Sequence, residues 1–329
     1  MRAIVIPRFG GPEVLELREV PKPEPSRGEV RVRIRATAIN RADLLQRAGN
    51  YPPPADAPQD IPGLEFAGEV DALGEGVTGV TDVAVGDRVF GLAGGGTYAE
   101  YVVVHARTVA KIPEGLSFTD AAAIPEAFIT AYDAMVTQAN LASGEVVLVH
   151  AVGSGVGTAA IQIARAIGAR AIGTSRTADK LVRARELGMT HGLLPEGGKF
   201  AGKVLELTQG RGVDVVLDLV GGAYIVEDLA CIAHRGRIAV VSLSGGATAE
   251  VPLGILMRRR ATMFGTTVRA RPLEEKIAAG RIFAHHVVPL VAQGLLRPIV
   301  DRILPLEQAA DAHGYVAKNE SFGKVILTV

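Results

Sequence analysis

GEVVLVHAVGSGVGTAAIQIARAIGARAIGTSRTADK, residues 144–180, is the stretch on which the reading of the fold turns. Its apolar run at 146–149 shows no polar alternation, the pattern of a strand buried on both faces. A glycine-rich turn follows (Gly153, Gly155, Gly157), then a helical pattern that sets Ile161, Ala164 and Gly168 on one side. A second short strand ends at Gly173 and Thr174. Strand, glycine turn, helix and strand within about thirty residues form a dinucleotide-binding βαβ unit. The glycines let backbone N–H groups approach a pyrophosphate, and the helix N-terminus adds partial positive charge. The spacing is G-x-G-x-G, not GxGxxG, so the flanking strand and helix carry the reading more than the glycines do.

At 329 residues the chain is long enough for two domains with separate cores. Lys plus Arg equals Asp plus Glu, 35 each, so the charge balance points to neither a nucleic acid nor an anionic membrane partner. A hydrophobic content of 48% with 39 glycines suits an Ala/Val/Gly-rich α/β enzyme and excludes general disorder. No apolar run approaches the ~18 residues of a membrane span, no signal peptide is evident, and a cytoplasmic location is expected. The single cysteine, Cys231, excludes an internal disulfide and a cysteine-built zinc site.

Residues 1–120 read as β-rich. Val30, Val32, Ile34 and Ala36 alternate with Arg31, Arg33 and Arg35, giving a strand whose arginine side is either an anion-binding face or simply its solvated one. Further strands are expected at 3–6, 14–17, 66–72, 88–90 and 98–104, with glycine turns between them, as in a small, partly closed barrel. A helix is expected after Asn40, ending at Gly49. Tyr51 then meets Pro52, Pro53 and Pro54, which hold it on an extended, rigid backbone, either as a core anchor or as a wall of a ligand pocket. From 121 to 268 strands alternate with helices: helices at 180–187, 203–208 and 224–233, strands at 191–194, 214–220, 237–243 and 261–267. That succession implies a doubly wound parallel sheet with ligands at the carboxyl ends of its strands. Three of those ends carry small residues, at 153–157, at Gly221 and Gly222, and at 242–246. Residues 269–329 hold one helix near 273–282 and the ending FGKVIL.

An NAD-specific site usually places an acid at the end of the second strand, on the ribose 2′-OH. Here that end reads Gly173, Thr174, Ser175, Arg176, with Lys180 further on. Cations and hydroxyls in place of an acid favour the 2′-phosphate of NADPH; alternatively both cations sit on a solvated helix start.

AINRADLLQRAGNYPPP, IPGLEFAGEV, VGDRVFGL, GGGTYAEY, AAAIPEAFITAY, the opening stretch, VDVVLDLVGG and FGKVIL together span nearly the whole chain. In these segments the sequence resembles the zinc-free, zeta-crystallin-like quinone oxidoreductases of the medium-chain dehydrogenase/reductase superfamily. NRAD, YPPP and AAAIPEA look most like the tumour-suppressor-inducible subgroup. The resemblance implies a GroES-like β-barrel catalytic domain (1–120, completed by 269–329), a Rossmann domain (121–268), NADPH in the cleft and a homodimer paired along the strand near 258–268. It implies cofactor contacts at Pro125, Thr130, Gly153, Ser154, Gly155, Val156, Gly157, Gly173, Thr174, Ser175, Arg176, Lys180, Gly221, Gly222, Leu243, Thr266, Asn319 and Lys324. Zinc-using members carry a Cys and a GHE motif, where this chain has Asn40 and Gly63-Leu64-Glu65. No metal is therefore expected, Glu65 reads as structural, and His105, His150 and His191 read as ordinary core or surface histidines. The relatives' turn differs at Val152 and Ser154, an adenine-side tyrosine is replaced around Leu194, and a C-terminal arginine of some relatives falls at Asn319.

The catalytic candidates by motif position are Asn40 and Tyr51, which would orient the acceptor, and Asp43, which would orient Asn40 or relay a proton. A quinone is electrophilic already, so a hydrogen-bond donor can serve where an alcohol dehydrogenase uses zinc. The expected activity is NADPH-dependent quinone reduction. The alternatives are NADPH-dependent reduction of α,β-unsaturated aldehydes or ketones, and a non-catalytic NADPH-binding protein.

Overall fold

The computed structural model describes residues 1–329. The chain forms two compact units, Met1–Ile129 with Val268–Val329, and Thr130–Thr267. In chain order the first unit opens with β1 (Arg2–Val5), β2 (Glu16–Glu19), β3 (Glu29–Ala38), α1 (Arg41–Arg47), β4 (Glu65–Leu73), β5 (Arg88–Leu92), β6 (Tyr101–His105), β7 (Val109–Lys111), α2 (Phe118–Ala122) and the start of α3 (Pro125–Tyr132). The second holds β8 (Val146–Val149), α4 (Gly155–Ala166), β9 (Arg170–Thr174), α5 (Ala178–Glu186), β10 (His191–Leu193), α6 (Ala201–Leu207), β11 (Val213–Asp218), α7 (Tyr224–Cys231), β12 (Ile232–Val240), α8 (Leu253–Arg259) and β13 (Thr262–Gly265). The returning segment adds α9 (Leu273–Ile282), α10 (Val288–Ala292), β14 (Val300–Pro305), α11 (Ala309–Ala317) and β15 (Lys324–Thr328).

The first unit is the GroES-like barrel, built on the long strand β3. One edge of β3 pairs antiparallel with β4; the other pairs with β6 over its first half and with β15 over its last residues. Two partners on one edge bend the sheet towards closure, and the returning segment completes it. Val30, Val32, Ile34 and Ala36 are all buried, as the alternation requires. Arg31 pairs with Asp71 and Arg35 with Glu69, both on β4, and Arg33 between them is exposed, so the arginine side is the solvated one. The first unit runs past residue 120 because α2 packs against β3, β4 and β15.

The second unit is a six-stranded parallel sheet in the order β10-β9-β8-β11-β12-β13, a Rossmann-type sheet with its reversal between β8 and β11. Its core is the apolar content of β8, β11 and β12 against α6 and α7. Some bounds differ from expectation. Residues 12–14 form a helical turn and the strand there starts at Glu16. Tyr98 precedes its strand, because its carbonyl accepts from Ile4 N and its ring is fully buried. α7 stops at Cys231 and β12 begins at once, with Arg235 at φ 60° in an irregular stretch. No helix is long and apolar enough to cross a membrane.

Candidate active site

In the second unit the ends of β8, β9 and β11 converge at the sheet reversal. Ser154 caps α4, its hydroxyl accepting from Gly157 N at 3.0 Å. A Cβ on Gly157 would stand 2.4 Å from Ala151 O, so only glycine lets α4 seat on the turn. Gly173 is equally constrained: a Cβ would lie 2.4 Å from Met189 Sδ and from Val152 Cγ1. Val152 N donates to Thr174 O at 3.0 Å, tying the turn to β9. Gly221 and Gly222 take φ of 72° and 58° and pack on the 242–246 loop, where Gly245 N donates to Val220 O at 2.7 Å. Gly153, Ser154, Gly155, Val156, Gly157, Gly173, Thr174, Ser175, Gly221 and Gly222 thus lie at neighbouring strand ends, with the α4 N-terminus among them. That donor set fits a dinucleotide pyrophosphate.

Leu243 stands 57% exposed after β12. Thr266 N donates to Val240 O, and its hydroxyl accepts from Gln138 Nε2 at 2.6 Å; Thr130 is buried on α3. Arg176 is exposed just past β9, and Lys180 lies in the first turn of α5. The same turn holds Asp179, whose carboxyl is kept below its ordinary range by the Thr177 hydroxyl and by backbone N–H groups of the helix start. The acid missing from the end of β9 is thus found inside α5, where it already answers the helix dipole.

In the first unit Asn40 caps α1 and Asp43 returns the bond, Asn40 N donating to Asp43 Oδ2 at 2.8 Å. The Asn40 amide donates to Glu65 Oε1 at 2.8 Å and to Ala38 O at 3.3 Å, and its Oδ1 accepts from Lys324 Nζ at 2.5 Å. Lys324 also reaches Glu65 Oε1 at 2.7 Å and Ile39 O at 3.0 Å. Glu65 is fully buried and its other oxygen accepts from Glu126 N at 2.8 Å, in the α3 turn that starts at Pro125. An ammonium is therefore the cation that Asn40 and Glu65 hold. These residues do not suit zinc: a second cation would face Lys324 directly, and thiolate and imidazole donors are absent from the pair.

Behind this cluster runs a directed chain of hydrogen bonds. Arg47 Nη1 lies 3.3 Å from His313 Nδ1, His313 Nε2 3.1 Å from Tyr98 OH, and Tyr98 OH donates to Asp43 Oδ2 at 3.1 Å. With Tyr98 donating to Asp43, His313 carries its proton on Nε2 and accepts from Arg47 at Nδ1. Burial, with Arg47 second, pushes His313 down to about 3, so it is neutral. Burial pushes Asp43 up to about 6 despite its bond from Asn40 N and the charges of Lys324 and Arg269. Arg269, nearly buried, clamps Tyr51: it donates to Gln46 Oε1 at 2.5 Å, Gly94 O at 2.7 Å and Tyr51 O at 3.4 Å, its guanidinium 5.2 Å from the Tyr51 ring centre. Asn319, at φ 60°, accepts from Arg41.

Asn40, Asp43 and Lys324 are brought together, with Tyr51 held by Arg269 from the returning segment. Sequence reasoning missed Arg269, Tyr98 and His313 and the ammonium–carboxylate pair itself. The only signal was the Leu64-Glu65 dipeptide standing where a histidine motif is expected.

A barrel completed by the C-terminal segment, with a Rossmann sheet between, is the plan of medium-chain dehydrogenase/reductases. Residues 26–114 match the alcohol dehydrogenase GroES-like domain family and residues 155–282 the zinc-binding dehydrogenase family. Human quinone oxidoreductase is 32% identical over 99% of this chain and 97% of its own length. The structure of Escherichia coli quinone oxidoreductase complexed with NADPH superposes with a TM-score of 0.87, 29% identity and full coverage of both chains. A structure described as an NAD-dependent alcohol dehydrogenase gives 0.86 at 36% identity, again with full coverage of both. The chain belongs to the quinone oxidoreductase family of the medium-chain dehydrogenase/reductases, and it is an oxidoreductase of the nicotinamide-using kind.

Proposed function

We propose that this enzyme reduces quinones with NADPH and without zinc. The observation that carries the reading is the buried Lys324–Glu65–Asn40 cluster, which fills with an ammonium the position whose motif holds metal ligands in zinc-using members. Lacking a Lewis acid, the site suits an acceptor that is electrophilic beforehand, and quinone oxidoreductases are among its relatives.

The cofactor, when bound, supplies the hydride. Gly153, Ser154, Gly155, Val156 and Gly157 offer it backbone N–H groups, Gly221 and Gly222 a close backbone approach, and Leu243 an apolar contact. Ser175, Arg176 and Lys180 bind the 2′-phosphate; with Asp179 engaged by its own helix, Arg176 carries most of that preference. Thr130 and Thr266 extend this cofactor surface within the second unit, and Pro125 and Asn319 are cofactor contacts that the family resemblance implies. Lys324, its three donors taken by Ile39, Asn40 and Glu65, contributes through charge. Tyr51 donates to the acceptor oxygen, while Asn40, its amide hydrogens engaged, positions the acceptor, and Asp43 holds Asn40. One quinone, one NADPH and one proton give hydroquinone and NADP⁺.

The sheet edge supports a homodimer. β13 is a terminal strand, and Met263, Leu253 and Met257 expose 37%, 63% and 75% of their surface. The functional test is a panel of a benzoquinone, a naphthoquinone and a 2-alkenal, each with NADPH and with NADH. Quinones turning over faster than the alkenal, with NADPH favoured, is the expected result; the reverse order makes the enzyme an enone reductase.

A further inference from the structure

Three fully buried polar side chains lie directly behind the cofactor loops: His150 after β8, Asp218 at the end of β11 and Asp228 on α7. His150 Nε2 is 2.8 Å from Asp228 Oδ1, and its Nδ1 is 2.8 Å from Thr174 Oγ1 at the end of β9. Asp218 Oδ1 accepts from Val220 N and Gly221 N, both at 2.8 Å. One potential ligand atom from each of the three lies within 4.8 Å of the others, and Asp218 Oδ2 and Asp228 Oδ2 have no hydrogen-bond partner. Phe200 and Tyr224 box the imidazole, with ring centres at 4.8 and 4.9 Å.

The trio thus sits at the roots of three of the loops that the proposed function assigns to the cofactor, those after β8, β9 and β11. We propose that His150, oriented by Asp228, is the positioning residue that holds the β8, β9 and β11 loops in the geometry the nicotinamide cofactor binds, and that cofactor affinity follows the charge of this cluster. The proposal rests on the assignment of those loops to the cofactor. With Asp228 ionised, its carboxylate accepts from Nε2–H, which leaves Nδ1 to accept the Thr174 hydroxyl proton. Once Asp228 is neutral, nothing fixes that tautomer and the bond to Thr174 loses its direction. Two unpartnered carboxylate oxygens sealed beside one imidazole make such a proton uptake accessible. Burial pushes Asp228 up to about 6, with the charges of Asp218 and Glu227 in the same direction and His150 opposing.

The charged and titratable groups that face the cluster are few. Glu227 on α7 is held by Lys199 and by the Phe200 and Ala201 amides. Tyr224, raised by burial and lowered by Arg176, stays neutral, and Cys231, raised by burial and by Asp228, stays a thiol.

The test measures cofactor and acceptor KM as pH falls from about 7.5 to about 5.5, in wild type, Asp228→Asn, His150→Gln and His150→Ala. NADH is used beside NADPH, since it carries no phosphate that itself titrates near 6. Expected for wild type is a rise of about threefold or more in the KM for NADH across that window, at constant acceptor KM. Asp228→Asn removes the pH dependence. His150→Ala raises cofactor KM by about tenfold at neutral pH, and His150→Gln, which keeps one donor and one acceptor, recovers most of it. Folded variants with unchanged cofactor KM, or with both KM values rising together, would overturn the proposal. So would stoichiometric uptake of Zn²⁺ or Mn²⁺ by the wild type that Asp228→Asn abolishes, because the trio would then be a cation site. Gly155→Asp, a charge at the α4 N-terminus, is the control for the underlying assignment. If it leaves cofactor affinity intact, the loop assignment fails and the proposal with it; if it abolishes binding while the His150 variants are silent, the proposal alone fails.

Discussion

Replacing Lys324 by Met keeps the length of the side chain and deletes its charge. Glu65 would then be a carboxylate with no exposed surface, retaining only the N–H groups of Asn40 and Glu126. Removing one partner of a buried pair costs about 3–5 kcal/mol, most of it from the stranded charge. For a unit of this size each kcal/mol moves the melting temperature by about 2–4 °C, so Lys324→Met should melt about 6–20 °C lower. Glu65→Gln on its own strands the ammonium instead. The double variant Lys324→Met/Glu65→Gln removes both charges and should melt above Lys324→Met, with a coupling of about 1–3 kcal/mol. Calorimetry of the four proteins at neutral pH reads this directly. A Lys324→Met melt within about 2 °C of wild type, or a double variant whose loss is the plain sum, would show that the ammonium is not the cation this site is built around.

Arg176→Ala should lower the NADPH-over-NADH ratio in kcat/KM, expected at about tenfold or about 1.4 kcal/mol, to near unity, while Lys180→Ala changes it less. Tyr51→Phe should lower kcat moderately and Tyr51→Ala should also raise acceptor KM, with cofactor KM and melting nearly unchanged; a large drop in melting with normal turnover would make Tyr51 a core anchor instead. Asp43 is raised to about 6 in the folded state, so the fold binds its proton more tightly than the unfolded chain does, and the stability it contributes is lost as pH rises from about 4 to about 6. Asp43→Asn should flatten that slope in chemical denaturation, whereas His313, lowered to about 3, gives the opposite slope between about 3 and about 6.5. Light scattering at micromolar concentration should give a dimer mass for the wild type and a monomer mass for Met257→Glu with Leu253→Glu; a wild-type monomer would overturn the proposed assembly.

The Rossmann unit was legible because its signals are local. A buried four-residue strand, glycines fixed by contacts under 3 Å, and a helix capped by its own Ser154 all lie within one short window. The two faces of β3 were legible from period-two alternation, whereas the ion pairs of Arg31 and Arg35 with acids of β4 were not. Elsewhere tertiary contacts override the local pattern. Tyr98 belongs to an apolar run that looks like strand, yet its hydroxyl is spent on Asp43 and His313. α8 buries none of its residues and α11 is built on small ones, so neither shows a clear apolar stripe. The site divides the same way. Asn40, Asp43 and Tyr51 stand out by motif, while Lys324–Glu65, Arg269–Tyr51 and His150–Asp228 join residues distant in sequence, a fact that periodicity does not carry.

The proposed reaction is hydride reduction of a quinone without metal. Protein stripped by chelation and shown metal-free by elemental analysis should be mixed with a quinone and with NADPH deuterated at the transferred C4 position, and the first turnover followed. Full activity without added zinc, hydroquinone as product and a primary isotope effect on the transfer step are expected. Turnover that appears only when zinc is restored, or oxidation of NADPH with no isotope effect and a semiquinone product, would rule out metal-free hydride transfer.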